Sequence, residues 1–323
     1  MNARILTAST LFTAFAGVFT ASAADSQLLS LVMPDAKVIA GVNVDSAKTS
    51  PFGTYVLNQM QSNNTDLQDL IKFTGFDPTR DVNEVLIATP SGAGGRTAGL
   101  ILARGTFDPA LATLAATKGA VTEVYNGVTI VESPDKQVGI AFLSTSRVAA
   151  GDVANVKAAV DRQGSTPSLS AAVLAQVNMW SASQDAWMVT TVPLSGLVPA
   201  QAAGGAQSNG AAMNPMAGVM QQVQQISGGV KFGASVVGTA AIQSDNAADA
   251  TQLANTLQFF VNLMQMQAQN KPELANVAQG FSVKTDGAKV NLTITLPEAQ
   301  FQQLFQMEKK AAGAAPQGHV SKN

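Results

Sequence analysis

Two dipeptides, Asn126-Gly127 and Asp286-Gly287, constrain this chain more than any other feature, because each is flanked by short runs rich in β-branched residues. Asn-Gly and Asp-Gly supply the positive φ angles that a tight two-residue turn demands, so each predicts an antiparallel hairpin. The paired strands are expected over 121–125 and 128–132 in the first case, and over 281–285 and 289–296 in the second. Similar alternation predicts strands at 37–44, 82–89, 97–104, 137–143 and 147–150, the second and third joined across a glycine-rich tip at Gly92, Gly94 and Gly95.

Helices are expected between these strands. Residues 52–61 and 67–74 carry helical spacing, with Gly75 and Asp77-Pro78 as the stop. Asp108-Pro109 places a capping carboxylate before an N1 proline, Leu111 and Leu114 form an apolar stripe, and Lys118-Gly119 closes the helix. Asp152 is the expected N-cap of a helix with Val153, Val156 and Val160 on one side. A longer helix is expected over 246–268. Its apolar arc runs from Leu253, Leu257, Phe260 and Met264 round to Phe259, Leu263 and Met266, which predicts packing on a sheet and on a second helix. A last helix is expected to carry Phe301, Leu304 and Phe305.

The second half repeats this order. Asp185-Ala186 precedes an apolar run at 187–192 as Asp35-Ala36 precedes one at 37–42, and a strand pair is expected over 230–239 and 240–244. The Asp286-Gly287 hairpin then stands as the counterpart of the Asn126-Gly127 hairpin. Met216, Val219, Met220, Val223 and Ile226 share a helical face opposite Gln221, Gln222, Gln224 and Gln225, predicting a helix over 214–226. The expected fold is α+β: a tandem β-α-ββ-α-ββ repeat, with antiparallel strands in one long sheet or two and helices packed on one face. Residues 24–165 are expected to form the first module and 166–310 the second. A flexible loop is expected at 199–214 and a disordered tail at 311–323.

The N-terminus predicts export. Arg4 precedes an uncharged stretch at 5–20 that is too short and too broken by Thr, Ser and Gly to span a membrane stably, and Ala21-Ser22-Ala23 is a small-residue cleavage site. Residues 1–23 are therefore expected to be a signal peptide, leaving Ala24 as the mature N-terminus of a periplasmic or secreted protein with no transmembrane anchor. The chain has no cysteine, which excludes disulfides, thiolate-bound metals and an acylated cysteine anchor. Charged residues make up 12% of it and the formal net charge is -2, so no basic surface exists for nucleic acid.

Chemistry is sparse. The single histidine, His319, lies in the expected tail, so a His-assisted nucleophile or a His-based metal site is excluded from the folded body. Ser133-Pro134-Asp135-Lys136 has the S-x-x-K spacing of serine acyl-enzymes but sits in an expected turn, whereas that chemistry needs a helix N-terminus. Asp77, Asp81, Glu84 and Asp108, with Arg104 nearby, are the carboxylates that an acid-pair hydrolase or a hard cation would use. Asp77 and Asp108 precede prolines where caps are expected, Asp81 and Glu84 flank a strand start, and Arg104 has a neighbouring acid to pair with. Met213, Met216 and Met220 have the thioethers a Cu(I) site uses, but an ordinary core-facing helix stripe explains them and is the preferred reading. No catalytic, cofactor-binding or metal residue is assigned.

One family resemblance rests on Arg104-Gly105-Thr106-Phe107-Asp108, Tyr125-Asn126-Gly127-Val128-Thr129-Ile130, the stretch 148–152 and the helix end Ala159-Val160-Asp161. These resemble uncharacterised exported proteins of Gram-negative bacteria, in which a strand ending Arg-Gly-x-Phe-Asp precedes a helix and a Tyr-x-Gly hairpin. The resemblance implies an envelope location and an α+β repeat, and it transfers no functional residue. Three functions are compatible with this sequence, in order of preference. They are a non-catalytic envelope protein that binds or scaffolds a partner, a periplasmic carrier of a hydrophobic ligand, and a carboxylate-only hydrolase.

Overall fold

The computed structural model describes residues 23–62, 76–90, 99–117, 120–133, 135–193, 223–267 and 277–300. The strands are β1 Val38–Asn43, β2 Val82–Thr89, β3 Leu100–Gly105, β4 Val121–Tyr125, β5 Val128–Glu132, β6 Val138–Ser144, β7 Arg147–Asp152, β8 Ala186–Thr190, β9 Val223–Lys231, β10 Ser235–Ser244, β11 Phe281–Asp286 and β12 Lys289–Pro297. The helices are α1 Ser26–Leu31, α2 Val44–Thr49, α3 Pro51–Ser62, α4 Pro78–Asp81, α5 Ala110–Thr117, α6 Val153–Asp161, α7 Ala171–Ser183 and α8 Ala247–Gln267. All twelve strands join in one sheet, in the order β11-β12-β10-β9-β8-β1-β2-β3-β7-β6-β5-β4, and every pairing is antiparallel. The protein is α+β with a large antiparallel sheet.

Directly paired residues point to the same side of a sheet, so the register defines rows of side chains. One row reads Ile130, Ala141, Ala149, Leu102, Leu86, Gly41, Trp187, Gly229, Thr239, Thr293, Ser282. On this first face α1, α6 and α7 bury Leu28, Leu31, Val156, Ala159, Val177 and Trp180 against Leu86, Leu102 and Ile130. Gly41 makes room for Trp187: a Cβ there would come within 2.5 Å of the indole.

The second face is covered by other helices. Beneath α2 and α3, Val44, Val42, Leu57 and Val85 form one cluster together with Phe107 and Phe142. Further along, α8 buries Ala250 and Leu253 against Ile242 and Val290. Helices on both faces correct the expectation of one covered face. β1 to β3 carry apolar residues at successive positions, such as Val85-Leu86 and Leu102-Ala103, and a strand apolar on both sides needs two covers.

Three further expectations change. Val223 and Ile226 lie in β9, with Ile226 paired to Ile242, and not on a helix; residues 194–222 fall outside the described residues. The strand pair expected at 230–239 and 240–244 is displaced accordingly, with its turn at 232–234. The two hairpins also differ. Asn126 and Gly127 form the loop between Tyr125 and Val128 with φ of 48° and 79°, a type I′ pattern. Asp286 is instead the last paired residue of β11, and Gly287-Ala288 form the loop with only Gly287 at positive φ, as in a type II′ turn. The expected helices at 67–74 and beyond 300, the glycine-rich tip and the Lys118-Gly119 stop lie outside the described residues.

Ala23 is exposed, whereas Ala24 is buried and its N–H donates to Ser181 Oγ at 2.9 Å, across 157 positions of sequence. Asp25 caps α1 by accepting from Gln27 and Leu28, and its own N–H donates to Glu84 Oε1 at 3.1 Å.

Candidate functional site

On the second face, α5 packs above β4 and β5. Its entry is fixed by backbone hydrogen bonds: Thr106 N–H to Asp81 O at 2.7 Å and Phe107 N–H to Thr145 O at 2.8 Å. Asp108 Oδ1 then accepts the Ala110 N–H at 2.8 Å, the cap the sequence predicted. Phe107 is thereby turned into the body, where its ring lies 5.8 Å from that of Phe76.

Between α5 and the sheet lies a cavity of about 310 Å3. Its floor comes from three strands in register, Val131 paired with Ile140, Ile140 with Ala150, and Phe142 with Val148. Its roof is Leu111, Leu114 and Ala115, and Phe76 and Phe107 also line it. The lining side chains are all hydrocarbon, so the cavity offers no charge and no side-chain hydrogen bond to a ligand. Space of this size and composition suits an apolar group. Leu111 and Leu114 are legible as an apolar stripe, and Phe107, Val148 and Ala150 fall in the runs that carry the family resemblance, but nothing in the sequence marks them as lining a common space.

The same face is incompletely covered beside the cavity. The row Val42, Val85, Ala103, Val148, Phe142 lies under α2, α3 and α5. The neighbouring row reads Met188, Ala40, Ile87, Ile101, Ala150, Ile140. In it Met188 is 40% exposed, Ile87 41%, Ile101 44% and Ile140 41%.

The carboxylates named from sequence do not converge on this space. Asp77 caps α4 through the Thr79 N–H at 2.9 Å. Asp81 pairs with Arg80 at 2.6 Å, and the hydrogen bond from that guanidinium holds its pKa below the usual range. Glu84 lies buried on the first face, 3.3 Å from Arg104, whose guanidinium is also 3.4 Å from Asp25. Burial pushes the Glu84 pKa up, against the Asp25 N–H and Arg104, which pull it down. Ser133 donates to Asp135 Oδ1 at 2.6 Å within a turn where Lys136 has φ of 55°, which is not the helical Ser-Lys arrangement of an acyl-enzyme. Among the described residues no cluster of His, Asp and Glu could hold a metal ion, and no helix is long and apolar enough to cross a membrane. Met213, Met216, Met220 and His319 lie outside the described residues.

No known family profile matches the chain, and no curated protein matches it. Among solved structures, one described as crystal form I of TP0453 superposes with a TM-score of 0.48 at 9% identity, covering 88% of this chain and 98% of that one.

Proposed function

We propose that this protein is a non-catalytic, exported carrier of an apolar ligand, which it holds between α5 and the sheet. The cavity carries this reading: it is formed by five separate stretches of chain and lined by hydrocarbon alone. Export enters on the leader-like residues 1–23. The tandem-repeat reading is kept in modified form. β8, β9 and β10 mirror β1, β2 and β3 about the central seam, and β12 lies beside β10 as β7 lies beside β3. The positional counterpart of the β11–β12 hairpin is thus β6–β7. A second reading, a scaffold that docks a protein partner, draws on the exposed row from Met188 to Ile140.

The test uses the full chain without residues 1–23 and the fluorophore N-phenyl-1-naphthylamine, whose emission rises in apolar surroundings. Leu114→Trp fills the cavity from its roof. The expected result is saturable binding to the parent protein, lost in the variant at an unchanged melting temperature. Equal binding by both proteins, or none by the parent, would overturn the carrier reading.

A further inference from the structure

We infer that the ligand is a free single-chain amphiphile selected by the length of its hydrocarbon chain, whose polar head stays in water and is not recognised. This rests on the carrier reading and deepens it. Two observations on the second face support it: the all-hydrocarbon lining of the cavity and the apolar row that leaves it.

The first decides what happens to the head group. A carboxylate or phosphate buried in the cavity would find no donor or cation among the lining side chains, and an unpaired buried charge is prohibitive. The charged groups of the neighbouring strands lie elsewhere. Glu84 and Arg104 face the opposite side of the sheet, tied to each other and to Asp25. Only the hydrocarbon part of a ligand is stable inside.

The second decides how long that part is. Ile140 and Ala150 belong both to the cavity floor and to the half-exposed row that continues through Ile101, Ile87 and Ala40 to Met188. Strands lie about 4.8 Å apart, so the five steps from β6 to β8 extend roughly 24 Å. Every residue of that track is apolar and none is charged. A short chain fills the cavity alone, while a longer one gains by lying along Ile101 and Ile87, which it removes from water. The track is continuous with the cavity, it runs across the strands, and its width is one residue per strand. Those features fit an extended unbranched chain.

The experiment compares octanol, octanoate, tetradecanol and tetradecanoate, each below its aggregation limit, as competitors of the same fluorophore. Three proteins are used: the parent, Leu114→Trp, and the double variant Ile87→Thr/Ile101→Thr, which keeps β-branched residues in exposed strand positions. Alcohol and acid of equal length should bind the parent within about twofold of each other, and the longer pair about tenfold or more tighter than the shorter. The double variant should lose about fivefold for the tetradecyl pair and stay within about twofold for the octyl pair. Preference of about tenfold for one head group at equal length would overturn the inference while leaving a carrier. So would a double variant that weakens both lengths alike, or one that leaves binding intact and lowers the melting temperature, since the row would then be covered by the protein's own chain. Failure of every competitor to bind the parent would remove the carrier reading itself.

Discussion

Along the row that begins at Ile130, side chains on β5 to β8 are buried and apolar apart from Gly41, whereas β9 to β12 place Gly229, Thr239, Thr293 and Ser282 on the same face. Hydrogen bonding runs unbroken through both regions while the core beneath that face stops near Trp187 and Val189. Beyond it, Gln176 donates to Gln225 Oε1 at 2.8 Å, and Gln243 and Lys289 help line a groove of about 200 Å3. The second region instead relies on α8 over the opposite face. A ladder of backbone hydrogen bonds can therefore carry a sheet past the reach of the core that nucleates it, provided one face remains covered.

The largest expected effect tests this division directly. Leu102 is fully buried, and Leu102→Ala should destabilise the protein by roughly 2 to 5 kcal/mol. Thr293→Ala, in the same row, should stay within about 0.5 kcal/mol. Urea unfolding of the full chain measures both, and equal costs would mean that the row is not divided.

A smaller effect is expected at the seam where the regions meet. Asp185 is 3% exposed and accepts from Lys231 Nζ at 2.6 Å and from the Phe232 N–H at 2.7 Å, while its backbone bonds Asn43 on one side and Val230 on the other. Lys231 is half-exposed, so its charge is partly screened. Asp185→Ala leaves the Phe232 N–H without its acceptor and should cost about 1 to 3 kcal/mol, read from the same unfolding curves. A neutral result would show that the backbone ladder alone holds the seam.

The smallest effect is a change of slope. Because burial raises the Glu84 pKa in the folded state, the native protein holds that proton more tightly than the unfolded chain. The group therefore favours folding at low pH, and its contribution is lost as pH rises from the ordinary glutamate value of about 4.3 through the raised one. Stability of the parent minus that of Glu84→Gln should fall across that window and level off above it. A difference that rises with pH would reverse the assignment and make the Arg104 pair dominant.

Much of the first half is legible because its signals are local. The cap at Asp152, which accepts from the Ala154 and Asn155 N–H groups, and the loop at Asn126-Gly127 each depend on a few adjacent residues. α8 is legible from its length. The start of β9 is not, since Val219, Met220, Val223 and Ile226 satisfy a helical period while Gly228-Gly229 reads as a break. α7 was missed because Ser170, its cap, sits in a Ser- and Pro-containing stretch that reads as a loop, and its apolar residues are spread round the helix. The cavity depends on residues from β5, β6, β7 and α5 meeting on one face, and no local sequence signal shows which helix lies over which strands.

The placement of α7 has a kinetic consequence. Leu169, Val177, Trp180, Trp187 and Val189 complete the core that Leu28, Leu86 and Leu102 begin, and the Ala24 to Ser181 bond closes a loop of 157 positions. Contacts so distant in sequence make for slow folding, because loop closure precedes any gain from packing. During synthesis β1 to β7, with α1 and α6, exist before α7 completes the cover of the first face. A chain halted at residue 165 has α1 and α6 but lacks Val177, Trp180, Trp187 and Val189, so part of its first-face core beside Gly41 stays open, and exposed apolar surface of that kind aggregates or engages chaperones. The interval between emergence of β7 and of β8 is thus the vulnerable period in the life of this molecule.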